Sequence, residues 1–214
     1  MPSRFFVTGT DTGVGKTVVC ALLCAALDAN YWKPIQTGAR EGTDRNTVMK
    51  LAELPLSRTI PEVYRLGPPV SPHLAACLAG IRIELRKIQM ARIARRGGRK
   101  NLIVEGAGGV LVPINSTQFM TDLMCQFRLP VLLVSRAALG TINHTLLSLA
   151  ALRAAHLKIR GVIMVGTRND ENRKAIERYG EIEVIGELPP LKKIHRAALL
   201  KAWRENFRRE AFAV

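Results

Sequence analysis

Short, continuous apolar runs alternate along this chain with longer stretches in which apolar residues recur every three or four positions. The runs Arg4–Gly9, Tyr31–Gln36, Asn101–Glu105, Leu129–Ser135, Ile159–Val165 and Glu183–Gly186 predict strands. Interior runs such as Leu102-Ile103-Val104 and Val131-Leu132-Leu133-Val134 show no polar alternation, as expected of strands covered on both faces. Helices are predicted at Lys16–Ala29, at Asp44–Glu53 with Asp44 as the N-cap, and from Ser71-Pro72-His73 onward. Further helices follow at Glu84–Arg96 (closed by Gly97-Gly98), Met120–Arg128, Ile142–His156, Asp170–Tyr179 and Leu191–Arg209. Strand and helix in alternation imply an α/β fold, a doubly wound, mainly parallel sheet flanked by helices. Ligands of such sheets bind beyond the carboxyl ends of the strands. That directs attention to the segments Gly9–Gly15, Lys33–Arg45, Glu105–Ser116, Arg136–Asn143 and Val165–Asp170.

The 214 residues suit one domain, 1–214, with a sizeable core. No linker, repeat or low-complexity segment divides them, and Leu66–Pro72 reads as a rigid turn. Lys and Arg outnumber Asp and Glu by 32 to 17. That excess favours anionic partners. The basic residues are dispersed, with local clusters at Arg92–Lys100 and Lys192–Arg209, and aromatic residues make up only 5%. Base stacking therefore has little support, and nucleic acid is set aside as a partner. Cys20, Cys24, Cys77 and Cys125 form no metal-binding pattern and are expected to be reduced, buried thiols. With no signal-peptide pattern and no long apolar run, a cytoplasmic protein without a membrane segment is expected.

The chemistry begins at Gly9-Thr10-Asp11-Thr12-Gly13-Val14-Gly15-Lys16-Thr17, between a strand and a helix. Backbone N–H groups of such a loop, with the helix N-terminus, cradle phosphates. Lys16 would reach the terminal phosphates and the Thr17 hydroxyl would ligate Mg²⁺. The fold is accordingly expected to be of P-loop NTPase type. Lys33 lies in an apolar strand, where an unpaired ammonium would be costly, and Thr37 follows near the strand end. Glu105 ends a buried strand and precedes the glycine-rich Gly106-Ala107-Gly108-Gly109, a suitable place for a metal carboxylate. Asp44 is either a second such carboxylate or a plain helix cap. Leu139-Gly140-Thr141-Ile142-Asn143-His144 could hold a carboxylate at a helix N-terminus. His73 and His144 read as structural, and Met49, Met90, Met120, Met124 and Met164 as core filling.

Taken together, the phosphate loop, Lys33-Pro34-Ile35-Gln36-Thr37-Gly38, Ser71-Pro72-His73, Val104-Glu105-Gly106-Ala107-Gly108-Gly109 and Leu139-Gly140-Thr141-Ile142-Asn143-His144 resemble the dethiobiotin synthetase family in order and spacing. The resemblance runs from about residue 4 to Gly186-Glu187-Leu188-Pro189-Pro190-Leu191. It implies a cyclo-ligase that uses ATP and Mg²⁺ to build dethiobiotin from 7,8-diaminopelargonic acid and CO₂ (or bicarbonate), through a carbamate and a carbamic-phosphoric anhydride. It assigns Lys16, Lys33 and Thr12 to catalysis, and Thr17, Asp44 and Glu105 to Mg²⁺. Nucleotide contacts fall on Gly13, Val14, Gly15, Lys16, Thr17, Val18, Asp44, Glu105, Gly106, Ala107, Gly108, Pro189, Pro190 and Leu191. Substrate contacts fall on Thr37 and on Gly140, Thr141 and Asn143, the last three from a partner subunit, which implies a homodimer with the site at its interface.

One position departs from the family pattern. After Gly161-Val162-Ile163-Met164, many members carry an Asn-Asp-like pair that reads adenine, whereas this chain has Val165-Gly166, with Asn169 and Asp170 later. Relaxed nucleotide selectivity is therefore expected, with a triphosphate such as CTP competing with ATP. Three rival readings are an amidation domain of the corrin-ring ligases, a non-catalytic nucleotide-binding regulator, and a partitioning-type P-loop ATPase that switches on DNA. The first usually needs a further domain, and the second would leave Lys33 and Glu105 idle. The third usually has an extra lysine early in the phosphate loop, where Gly9-Thr10-Asp11 stands here.

Overall fold

A computed structural model describes residues 2–90 and 100–213 of the chain. Its frame is a seven-stranded parallel sheet of β1 (Arg4–Gly9), β2 (Asn30–Trp32), β4 (Thr59–Ile60), β6 (Leu102–Gly109), β7 (Val131–Arg136), β8 (Ile159–Val165) and β9 (Val184–Leu188). The strand order is β4-β2-β6-β1-β7-β8-β9. β3 (Ile35–Gln36) and β5 (Tyr64–Arg65) pair separately. Among the described residues the helices are α1 (Lys16–Ala26), α2 (Asp44–Ala52), α3 (Pro72–Leu78), α4 (Met120–Phe127), α5 (Thr141–Ala154), α6 (Asp170–Gly180) and α7 (Arg196–Asn206).

Side chains alternate across each strand, so the sheet separates two apolar layers. Phe5, Val7, Tyr31, Ile103, Leu132 and Ile163 meet α1, α2 and α7 on one face. Phe6, Trp32, Val104, Leu133 and Met164 meet α3, α4, α5 and α6 on the other. The unbroken apolar runs of the sequence are explained by this double coverage. β1 lies between β6 and β7, where the strand order reverses, and the crevice beside its carboxyl end is the place such sheets offer to ligands.

Several expectations need correction. The run Tyr31–Gln36 is two strands, because Pro34 lacks the N–H that would continue the ladder and turns its carbonyl to Val63 and Tyr64 instead. β6 continues past Glu105 to Gly109, with a register shift against β1 between Val7 and Gly9. Glu84–Arg96 does not open as an α-helix: Leu85–Lys87 form one 3₁₀ turn. The rest of that expected helix, with Gly97-Gly98 and most of the Arg92–Lys100 cluster, falls on 91–99, outside the described residues. α7 starts only at Arg196, where the His195 ring accepts the N–H of Ala198. It ends as Phe207 turns back to bridge Gly186. Cys20 and Cys24 are buried, but Cys77 and Cys125 are exposed, because they fall on the outer faces of α3 and α4. Met120, Met124 and Met164 are core residues, while Met49 and Met90 are only half-buried.

Candidate active site

The carboxyl ends of β1, β2 and β6 open into a cleft of about 700 Å³. Its floor is the phosphate loop. Gly15 caps α1 with a φ of 99°, a left-handed conformation that glycine adopts without strain. Gly9 lies so close to its surroundings that a Cβ there would come within 2.7 Å of Val14 and 3.1 Å of Lys16 Nζ. Val14 is itself buried, so it anchors the loop in the core and leaves only its backbone for a ligand. Lys16 Nζ donates to the carbonyl of Asp11 at 2.7 Å, across the loop. Burial lowers the Lys16 pKa from 10.5 to about 8, assisted by nearby Lys33 and opposed by Glu105 and Asp44.

The period-two rule assembles the rest. Tyr31 and Lys33 are two residues apart, as are Ile103 and Glu105, and Tyr31 pairs with Ile103 in register. Both pairs therefore face α1, whose first residues are Lys16 and Thr17. The result is a compact polar cluster. Thr17 Oγ1 lies 3.0 Å from Asp44 Oδ1 and 3.0 Å from Glu105 Oε1. Lys33 Nζ lies 2.5 Å from Asp44 Oδ2 and 2.9 Å from Glu105 Oε1. The Tyr31 hydroxyl donates to Glu105 Oε2 at 2.8 Å. Burial pushes the Lys33 ammonium toward neutrality, but Glu105 and Asp44 outweigh it and its pKa stands above the usual lysine value. Burial likewise opposes the Asp44 charge, and Lys33 overcomes it, so that pKa lies below the ordinary carboxylate value.

Asp44 is not the N-cap of α2. Thr43 is, accepting the N–H of Asn46 at 3.2 Å. The Asp44 backbone N–H instead reaches Gln36 Oε1 at 3.0 Å, which leaves its carboxylate free for the cluster. A hydroxyl flanked by two carboxylates is an all-oxygen donor set suited to a hard divalent cation that completes its shell with water and phosphate oxygens. Among the described residues no group of three or more His, Cys, Asp or Glu could hold a metal ion.

Residues 3–198 match the AAA domain family. The chain is 46% identical to the ATP-dependent dethiobiotin synthetase of Novosphingobium aromaticivorans, over 99% of this chain and 100% of that one. It is 44% identical to the corresponding protein of Rhodopseudomonas palustris, over 99% of this chain and 97% of that one. The chain belongs to the dethiobiotin synthetase family. It is an ATP-dependent ligase of the P-loop class. Among solved structures, a ParA family ATPase from Chlorobium tepidum superposes with a TM-score of 0.57, at 12% identity, over 94% of this chain and 97% of that one, a likeness of fold.

Of the family positions, the cleft gathers Thr12, Gly13, Gly15, Lys16, Thr17, Val18, Lys33, Thr37, Asp44, Glu105, Ala107 and Gly108. Gly106 lies behind it against the Phe6 ring. Pro189, Pro190 and Leu191 follow β9 and do not line the cleft; Leu191 packs against the core layer that holds α1. Gly140, Thr141 and Asn143 start α5, also away from the cleft: Gly140 and Asn143 are exposed and Thr141 is buried. Val165 packs toward Gly15, and the Gly166 N–H donates to the Leu188 carbonyl. Asn169 caps α6 through its side-chain oxygen, and Asp170 pairs with Arg168 at the surface. His73 Nδ1 lies 3.0 Å from Ser71 Oγ, an exposed local contact.

Sequence reasoning missed Tyr31, Gln36, Thr43 and Arg136. Tyr31 was legible as the residue two before Lys33, and therefore on its face of the sheet. Gln36, at the end of the two-residue β3, and Thr43, the cap of α2, meet the Asp44 region in a way that no pattern describes. Arg136 reaches over the phosphate loop to the Thr12 carbonyl from a neighbouring strand, at 3.4 Å.

Proposed function

We propose that this chain closes the ureido ring of dethiobiotin from 7,8-diaminopelargonic acid, CO₂ and ATP. The observation that carries the proposal is the convergence of Lys16, Lys33, Thr17, Asp44 and Glu105 on one cleft beside the phosphate loop. The reaction brings an anion to an anion, so charge and positioning must come from the protein. One substrate amine adds to CO₂ and loses a proton, giving a carbamate. The carbamate oxygen attacks the γ-phosphorus and ADP leaves, forming a carbamic-phosphoric anhydride. The second amine attacks the carbonyl carbon, inorganic phosphate leaves and the ring closes.

In this reading Lys16 and the N–H groups of the phosphate loop hold the β- and γ-phosphates. Lys33 offsets the charge of carbamate and transferring phosphoryl group. Thr12 and Thr37, both on the cleft wall, orient the carbamate and substrate. Thr17, Asp44 and Glu105 would hold Mg²⁺, which when bound neutralises charge between the phosphates. Pro189–Leu191 border the base. We place Gly140, Thr141 and Asn143 at the substrate carboxylate of a partner subunit. Two exposed apolar side chains beside them, Leu139 and Leu147, support a homodimer, because a second copy would cover them. The whole chain, 1–214, acts as one cytoplasmic domain; among its described residues no helix is long and apolar enough to cross a membrane.

The test is one reaction containing protein, ATP, Mg²⁺, bicarbonate and 7,8-diaminopelargonic acid. A product heavier than the diamine by one carbonyl insertion, formed with equimolar phosphate, is expected. Phosphate release that does not depend on the diamine would refute the proposal.

A further inference from the structure

The Lys33 ammonium and a divalent cation need the same two carboxylates. Glu105 Oε1 lies 2.9 Å from Lys33 Nζ and 3.0 Å from Thr17 Oγ1, so one oxygen serves both. The second carboxylate is divided between them, with Asp44 Oδ2 toward Lys33 and Oδ1 toward Thr17. A Mg²⁺ bound by Thr17 and these carboxylates at about 2.1 Å would stand almost against the ammonium, and like charges at that range repel strongly. The Glu105 carboxylate is fixed, and so is the backbone that carries Asp44. Glu105 is held from behind by Tyr31, and the Asp44 backbone by Gln36. Lys33 is the member that can move, on a four-carbon stem with rotatable donors.

We infer that Lys33 is a placeholder cation: it neutralises Asp44 and Glu105 until a metal–triphosphate takes them over, and is thereby released into the cleft as the charge that meets the carbamate. The inference rests on the function proposed above and adds an order to it. The lysine becomes available to the reaction only after nucleotide has bound. Protein and substrate without nucleotide keep Lys33 tied to its carboxylates, so the carbamate does not gain its counter-charge prematurely.

The test uses Mn²⁺ alone, without nucleotide, followed by electron paramagnetic resonance on the full chain. The parent should bind Mn²⁺ weakly, and Lys33→Met should bind it tighter by about tenfold or more, since a full positive charge within 3 Å has gone. Lys33→Arg, which keeps the charge, should stay as weak as the parent. Equal Mn²⁺ affinity of parent and Lys33→Met would overturn the inference. If Lys33→Met does not fold, it is refolded with Mn²⁺ or with NaCl of equal ionic strength. Recovery with Mn²⁺ only supports the inference, and no recovery overturns it. Glu105→Gln separates the two readings, because it should lose Mn²⁺-dependent ATP binding. If it does not, the metal assignment fails; if it does while Lys33→Met binds no tighter, only the placeholder role fails.

Discussion

The affinity for a triphosphate should fall as pH rises through about 8, because Lys16 loses its proton there in the nucleotide-free protein. The cause is structural. Lys16 is buried, its ammonium meets the Asp11 carbonyl, and Lys33 adds a second positive charge nearby. A bound triphosphate reverses this balance and holds the proton, so the pKa of Lys16 rises on binding. The sign follows: affinity is full below the free-state value and is lost above it, until pH passes the bound-state value. With a free-state pKa of about 8, Lys16 is about nine-tenths protonated at pH 7 and about one-tenth at pH 9. Affinity should therefore drop roughly tenfold over those two units, and roughly tenfold again by pH 10. Calorimetric titration with a non-hydrolysable ATP analogue, between pH 7 and 10 and in two buffers of different ionisation heat, reads both the affinity and the proton taken up. An affinity flat to pH 10 with no proton uptake near pH 8.5 would refute this account of Lys16.

Other perturbations test other contacts. Lys16→Ala should lower turnover by at least about a hundredfold, as loss of a transition-state charge contact does, and near-normal phosphate release would contradict its role. Lys33→Met leaves Glu105 charged, buried and without its ammonium, a loss of about 3–5 kcal/mol, or roughly 6–20 °C in melting temperature at pH 7.5. A melting temperature within about 2 °C of the parent would count against it. Tyr31→Phe removes a hydrogen bond to a buried carboxylate and should cost about 1.5–3 kcal/mol in a urea titration; a change below about 0.5 would show that the bond contributes little. Because Val165-Gly166 offers no side-chain amide and Asn169 is committed to its cap, CTP should bind within about tenfold of ATP, about the worth of one missing base hydrogen bond; a strict ATP preference in parallel titrations would refute this.

The frame of the molecule was legible because burial on both faces writes itself into a strand as an unbroken apolar run. β1 and β8 have the bounds their runs predict, and most helices differ only at their ends. Where competing local chemistry intervened, the reading failed. Pro34 split one strand, Thr43 displaced Asp44 as a cap, and the short β4 and β5 carry too few residues to show a period. The position of the phosphate loop between β1 and α1 was legible, since its residues are contiguous and its turn is set by local backbone geometry.

The sequence by itself determined the fold class, the phosphate loop and the residue types required for the chemistry, because those depend on spacing within single segments. Only the tertiary structure decided how these residues balance one another. That Lys33 lies between Asp44 and Glu105, that Thr17 shares an oxygen with each, and that Tyr31 holds Glu105 from behind are relations among four separate segments. Charges and hydrogen bonds act through a few ångströms of space, whatever the distance along the chain, so these relations exist only once α1, β2, α2 and β6 have come together.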